Sequence, residues 1–78
     1  MSLDTGARTL FDALKAWRLE QAKVQGVPAY VILHDRTLAA IAQARPASLA
    51  ELAGIGGIGA AKLDRYGAAI VALAGERG

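Results

Sequence analysis

The stretch Ser48-Leu49-Ala50-Glu51-Leu52-Ala53-Gly54-Ile55-Gly56-Gly57-Ile58-Gly59-Ala60-Ala61-Lys62 decides the fold. Serine followed three residues later by glutamate is a capping box, in which each side chain satisfies a backbone donor at the start of a helix. It opens a short helix that ends near Ala53. Glycines then punctuate two isoleucines, so the backbone can turn tightly while each apolar side chain still seeks burial. Beyond the turn a last helix runs from about Gly59 to Ala74. Leu63, Tyr66, Ile70 and Leu73 recur along it at helical spacing and form its buried stripe. Gly75 and Gly78 are expected to end the chain flexibly.

Towards the N-terminus, a first helix is predicted to start between Thr5 and Thr9 and to reach about Gln25. Leu10, Leu14, Trp17, Gln21 and Val24 make its apolar stripe, widened by Phe11 and Ala22. Gly26 is the expected left-handed cap. Pro28 forces Val27 into an extended or turn conformation. Ala29 to Leu33 is short and apolar; with no second strand to pair with, it reads as a helical turn or an extended buried segment. A second helix follows, with Asp35 as the expected N-cap, Leu38, Ile41 and Ala42 inside, and Arg45-Pro46 as its stop. The predicted organisation is a flexible lead-in over 1–6, one helical domain over 7–75 and a tail over 76–78.

The chain has 78 residues, 54% of them hydrophobic and 21% charged, which suits one thin-cored domain and excludes disorder. It has no cysteine, which fits a cytoplasmic or nucleoid setting rather than an oxidising one. No signal peptide is read at Met1 to Ala7. Uncharged runs such as Val24 to His34 are too short to cross a bilayer. The net charge of +2, with a pI near 9.4, permits nucleic acid without demanding it.

The glycine stretch resembles a helix-hairpin-helix motif. In that reading the free N–H groups at the start of the last helix face a phosphate, with Lys62 and Arg65 one turn in. The plainer alternative is that Gly57 and Gly59 only let helices approach. No Gly-Lys-Ser/Thr follows, so this is no Walker A loop, and without a parallel sheet it is no dinucleotide fingerprint.

The ordered set of motifs resembles the HRDC domain, named for RecQ helicases and RNase D. The residues that carry it are Leu10-Phe11-x-x-Leu14 with Arg18, Val27-Pro28-Ala29-Tyr30-Val31-Ile32, and His34-Asp35-Arg36-Thr37-Leu38. Ala42 with Arg45-Pro46, Ser48-Leu49-x-x-Leu52, Ile55-x-Gly57-Ile58-Gly59 and Lys62-Leu63-x-x-Tyr66-Gly67 complete it, over roughly residues 8–74. Trp17 departs from the pattern, standing where the family has leucine. The resemblance implies an all-α bundle of about five helices. It also implies an accessory role in a larger ATP-dependent enzyme, a RecQ-type DNA helicase of repair and recombination in preference to an RNase D-like exonuclease. The implied partners are single-stranded or structured DNA, held weakly and salt-sensitively, or other domains of the parent.

Candidate binding residues follow. Tyr30 either stacks on a base or lays its ring on the first helix with its hydroxyl in water. Lys15 is expected to meet solvent or phosphate, while Arg18 braces the fold through Asp35 or Glu51. Lys23 and Arg36 flank the Tyr30 loop; a cation at a helix N-terminus, as at Arg36, opposes the dipole and so hints at function. Gly57, Gly59, Lys62 and Arg65 extend the set. Trp17 and Tyr66 read as packing or, for Trp17, a partner-facing anchor. His34 has no ligand companions and reads as a turn or capping residue, so no metal and no cofactor are expected. Asp12, Glu20, Asp35, Glu51, Asp64 and Glu76 are too scattered for a catalytic pair. The chain is expected to be a monomer in isolation and not itself an enzyme.

Overall fold

The computed structural model describes residues 3–77, although nothing is said of the Arg77 side chain. Five helices follow one another: α1 (Thr5–Gln25), α2 (Ala29–Ile32), α3 (Asp35–Ala44), α4 (Leu49–Ala53) and α5 (Ala60–Arg77), with no strand among the described residues. The all-α expectation and the order of elements hold. α1 packs against α2, α3 and α5, and α4 packs on α5. Leu10, Leu14, Ile32, Leu33, Leu38, Ile41, Leu52 and Ile70 are fully buried where these helices meet. No helix among the described residues is long and apolar enough to cross a membrane.

The local signals act as physics requires. Asp4 caps α1 by accepting the Ala7 N–H at 2.7 Å. Gly26 ends α1 at φ 67, in the left-handed region. Pro28 is extended and α2 starts one residue later. At α4, Ser48 Oγ accepts the Glu51 N–H at 3.2 Å. The returning Glu51 carboxylate accepts from the Ala47 N–H at 3.1 Å, one residue earlier than the usual box.

Four expectations need correction. The buried line of α1 is Ala7, Leu10, Leu14, Arg18 and Ala22, so Val24 is 79% exposed instead of facing the core. From Leu14 onward the line advances by fours, because Arg18 finds acceptors at the α2–α3 corner that Trp17 and Gln21 would not. The N-cap of α3 is His34, with no side-chain cap, since the Asp35 carboxylate is held by Arg18. α5 continues past Ala74 to Arg77, so Gly75 lies within a helix. Gly59 needs no special backbone conformation; its carbonyl accepts from Leu63 N at 2.9 Å as α5 begins. Gly78, the other expected flexible end, lies outside the described residues.

Gly57 is the glycine that the turn requires. Its φ is 95, and a Cβ there would run into Thr37 Oγ1. The glycine turn thus presses directly on α3. Gly56, beside it, faces open space at an ordinary φ. Gly57→Ala is expected to cost about 1–3 kcal/mol, seen as a fall in melting temperature of about 4–8 °C per kcal/mol for a domain of this size. Gly56→Ala should stay within about 0.5 kcal/mol, both read from thermal circular-dichroism melts.

Candidate nucleic-acid interface

The site is built on the corner between α2 and α3. Arg18 reaches it from α1: Nη1 donates to the Leu33 carbonyl at 2.8 Å and Nη2 pairs with Asp35 Oδ1 at 2.7 Å. Its side chain is nearly buried, while that of Asp35 is 66% exposed. Arg18 Nε is the one buried side-chain polar atom without a partner among the described residues. The bracing role expected of Arg18 is therefore seen, with Asp35 as the partner. The hydrogen bond from Arg18, then its charge, holds the Asp35 carboxyl below its ordinary range, with smaller contributions from Lys15 and His34.

On this corner Tyr30 stands 61% exposed. It lies near-parallel to the His34 ring, with centroids 6.2 Å apart and planes at 24°. His34 also lines a groove of about 430 Å³, together with Arg36, Thr37, Ala40, Gly56 and Gly57. The structure thus gathers Arg36 and Gly57 around one concavity, and Tyr30 is joined to it only through His34, which neighbours the ring and lines the groove. Lys62 is half-buried and directs Nζ to the Val31 carbonyl at 3.4 Å, joining α5 to α2 beside Tyr30.

The other candidates lie elsewhere. Lys15 is exposed on α1, its ammonium 5.5 Å from the Phe11 ring centroid. Lys23 is exposed in the last turn of α1. Arg65 lies 5.6 Å from the Tyr66 ring centroid. Tyr66 is buried, edge-on to Trp17, and its hydroxyl accepts from Gln25 Nε2 at 2.6 Å, which supports the packing reading for both aromatics. Gly59 faces open space and does not line the groove.

Sequence reasoning missed two residues. His34 was set aside for lack of ligand companions, yet it is the aromatic neighbour of Tyr30. Thr37 enters the sequence reading only as part of the His34–Leu38 motif, with no role of its own, although it is buried and lines the groove. Its signal was weak: a threonine in the first turn of a helix whose turn faces a glycine pair far along the chain.

The sequence model of the HRDC domain family matches residues 7–73. The chain belongs to the HRDC domain family. A solved Deinococcus radiodurans structure, the third HRDC domain of RecQ, superposes with a TM-score of 0.86 at 34% identity, covering 90% of this chain and 92% of that one. The ATP-dependent DNA helicase UvrD2 of Mycobacterium tuberculosis is 53% identical over 60 residues, 77% of this chain and 9% of the relative. The ATP-dependent DNA helicase RecQ of Haemophilus influenzae is 36% identical over 69 residues, 88% of this chain and 11% of the relative. This HRDC domain therefore spans about a tenth of the length of the curated relatives it matches. The similarity to UvrD2 adds a second kind of helicase to the RecQ type that the motifs had implied.

The Arg18–Asp35 pair has a definite pH signature. Because the folded-state carboxyl of Asp35 is depressed, its contribution is present above the ordinary carboxylate value of 3.8 and is lost as pH falls through the lower folded-state value. Asp35→Asn should therefore melt below the parent domain near neutral pH. The gap should narrow as pH falls below the carboxylate range, as followed by thermal melts from pH 7 to pH 2.

Proposed function

We propose that this HRDC domain is an accessory module of an ATP-dependent DNA helicase of the UvrD2 or RecQ kind, acting in repair or recombination. In this reading it is a monomer that holds single-stranded or structured DNA weakly, and the chemistry of unwinding belongs to the rest of the parent. The observation that carries the reading is the exposed Tyr30 ring, parallel to His34 and bordered by the Arg36 groove. An aromatic face stacks on any base and so suits a binder that must tolerate sequence. The acid nearest this face, Asp35, is engaged by Arg18, which lowers its repulsion of a phosphate strand. Arg36 supplies charge at the groove, and Lys62 holds α2 in place from α5. The names of the relatives support the parent type, since both kinds are DNA helicases.

A second reading, docking onto the parent's other domains, draws on Val24 and Leu19. They stand 79% and 52% exposed on α1 with no apolar cover. This reading requires no change in DNA affinity when Tyr30 is altered.

Fluorescence anisotropy with a labelled oligothymidylate separates the two. Tyr30→Ala should lose about 1–3 kcal/mol of binding, roughly a fivefold to hundredfold weakening. With about three phosphates neutralised, log affinity should fall against log salt with a slope of about −2. An absence of binding by the parent domain at low salt would end the DNA reading.

A further inference from the structure

We infer that the groove between the first turn of α3 and the glycine turn seats a sugar–phosphate unit of the bound strand, next to the base that stacks on Tyr30. The inference rests on the nucleic-acid reading above and moves the phosphate from the start of α5, where the glycine motif alone would put it, to the start of α3.

Three observations converge there. First, the groove has room: about 430 Å³ lies within the range of small-ligand sites and is more than a bare anion needs. Second, its polar end carries an unspent donor. His34 gives α3 no side-chain cap, so the first-turn N–H of Arg36 lacks the acceptor that a capping side chain can supply. The N–H groups of Thr37 and Leu38 are already taken by the His34 carbonyl, at 3.0 and 3.1 Å. Third, Thr37 is only 6% exposed and lines the groove, and its hydroxyl makes no hydrogen bond among the described residues yet is not a fully buried atom, so it stays open to an occupant of the groove.

The groove's charge suits the same occupant. Arg36 lines it, and the neighbouring acid, Asp35, is tied to Arg18 at 2.7 Å. Its other walls, Ala40, Gly56 and Gly57, carry no charge and no side chain larger than a methyl group. Such a surface lets the carbon face of a deoxyribose approach closely while its phosphate meets Thr37, Arg36 and the helix start. His34 is shared by groove and platform, which places base and sugar–phosphate on consecutive parts of one surface.

The test uses the 78-residue chain and two probes, deoxyribose 5-phosphate and hexathymidylate. In amide NMR titrations, millimolar deoxyribose 5-phosphate should shift Asp35, Arg36, Thr37 and Gly57. Thr37→Val should abolish the response and Thr37→Ser should keep it, with thermal melts showing that both variants fold. With hexathymidylate, Arg36→Gln should weaken binding about three- to tenfold and reduce the salt slope by about 0.7. Silent amides with the sugar phosphate, together with unchanged hexathymidylate affinity in Thr37→Val and Arg36→Gln, would overturn the groove. A simultaneous loss on Tyr30→Ala would then leave the DNA reading intact. Shifts as large with inorganic phosphate would overturn it as a sugar–phosphate seat. Conversely, shifts by deoxyribose 5-phosphate with no binding of hexathymidylate would uphold the groove and end the DNA reading.

Discussion

The Arg18 guanidinium ties three helices at one point, and the geometry of the exposed face depends on that tie. A buried cation is costly unless its donors are met. Here one donor meets the last carbonyl after α2 and another meets the first carboxylate of α3. Because Asp35 stays largely in water, the pair avoids the full desolvation of two charges. The corner between α2 and α3 is thereby pinned against α1 by directional bonds. An apolar residue in place of Arg18 would fill space there but leave the corner without a defined angle. Tyr30, His34 and Arg36 all project from this corner, so the orientation of the candidate interface follows from an interaction beneath it.

The second constraint is the approach of the glycine turn to α3. Gly57 lies against Thr37 so closely that no side chain fits between them. In a chain rich in alanine, each helix contributes little apolar area, and close approach compensates by bringing more atoms into contact. The same contact makes the groove. Gly56 and Gly57 form one wall, α3 the other, and neither wall would exist if the turn stood a few ångströms away. Packing and binding surface are consequences of one backbone conformation at one residue.

Much of the architecture was legible because its signals are local. Gly26, Pro28, the Ser48–Glu51 pair and the 54–59 glycines each act on backbone within a few residues, and each produced the expected boundary. The bracing role of Arg18 could also be named from position, whereas position left Tyr30 open between an exposed ring and one laid on α1. What misled the reading was competition between equally local options. Asp35 is as good an N-cap as it is a salt-bridge partner, and the guanidinium took it. The α1 stripe fits either a repeat through Trp17, Gln21 and Val24 or one through Arg18 and Ala22. Hydrophobicity favours the first, while the hydrogen bonds of Arg18 select the second.

By itself the sequence determined the number, order and approximate limits of the helices, because caps, prolines and glycines act through bonds to near neighbours. It also marked the aromatic and basic residues available for binding. Only the tertiary structure decided which of them share a surface. His34 and Arg36 line one groove with Gly57 across more than twenty residues of chain, with Tyr30 beside His34, whereas Lys15 and Arg65 settle against aromatic rings elsewhere. Such grouping depends on helix rotation and approach, which are set by the summed packing of the whole core and have no local signature.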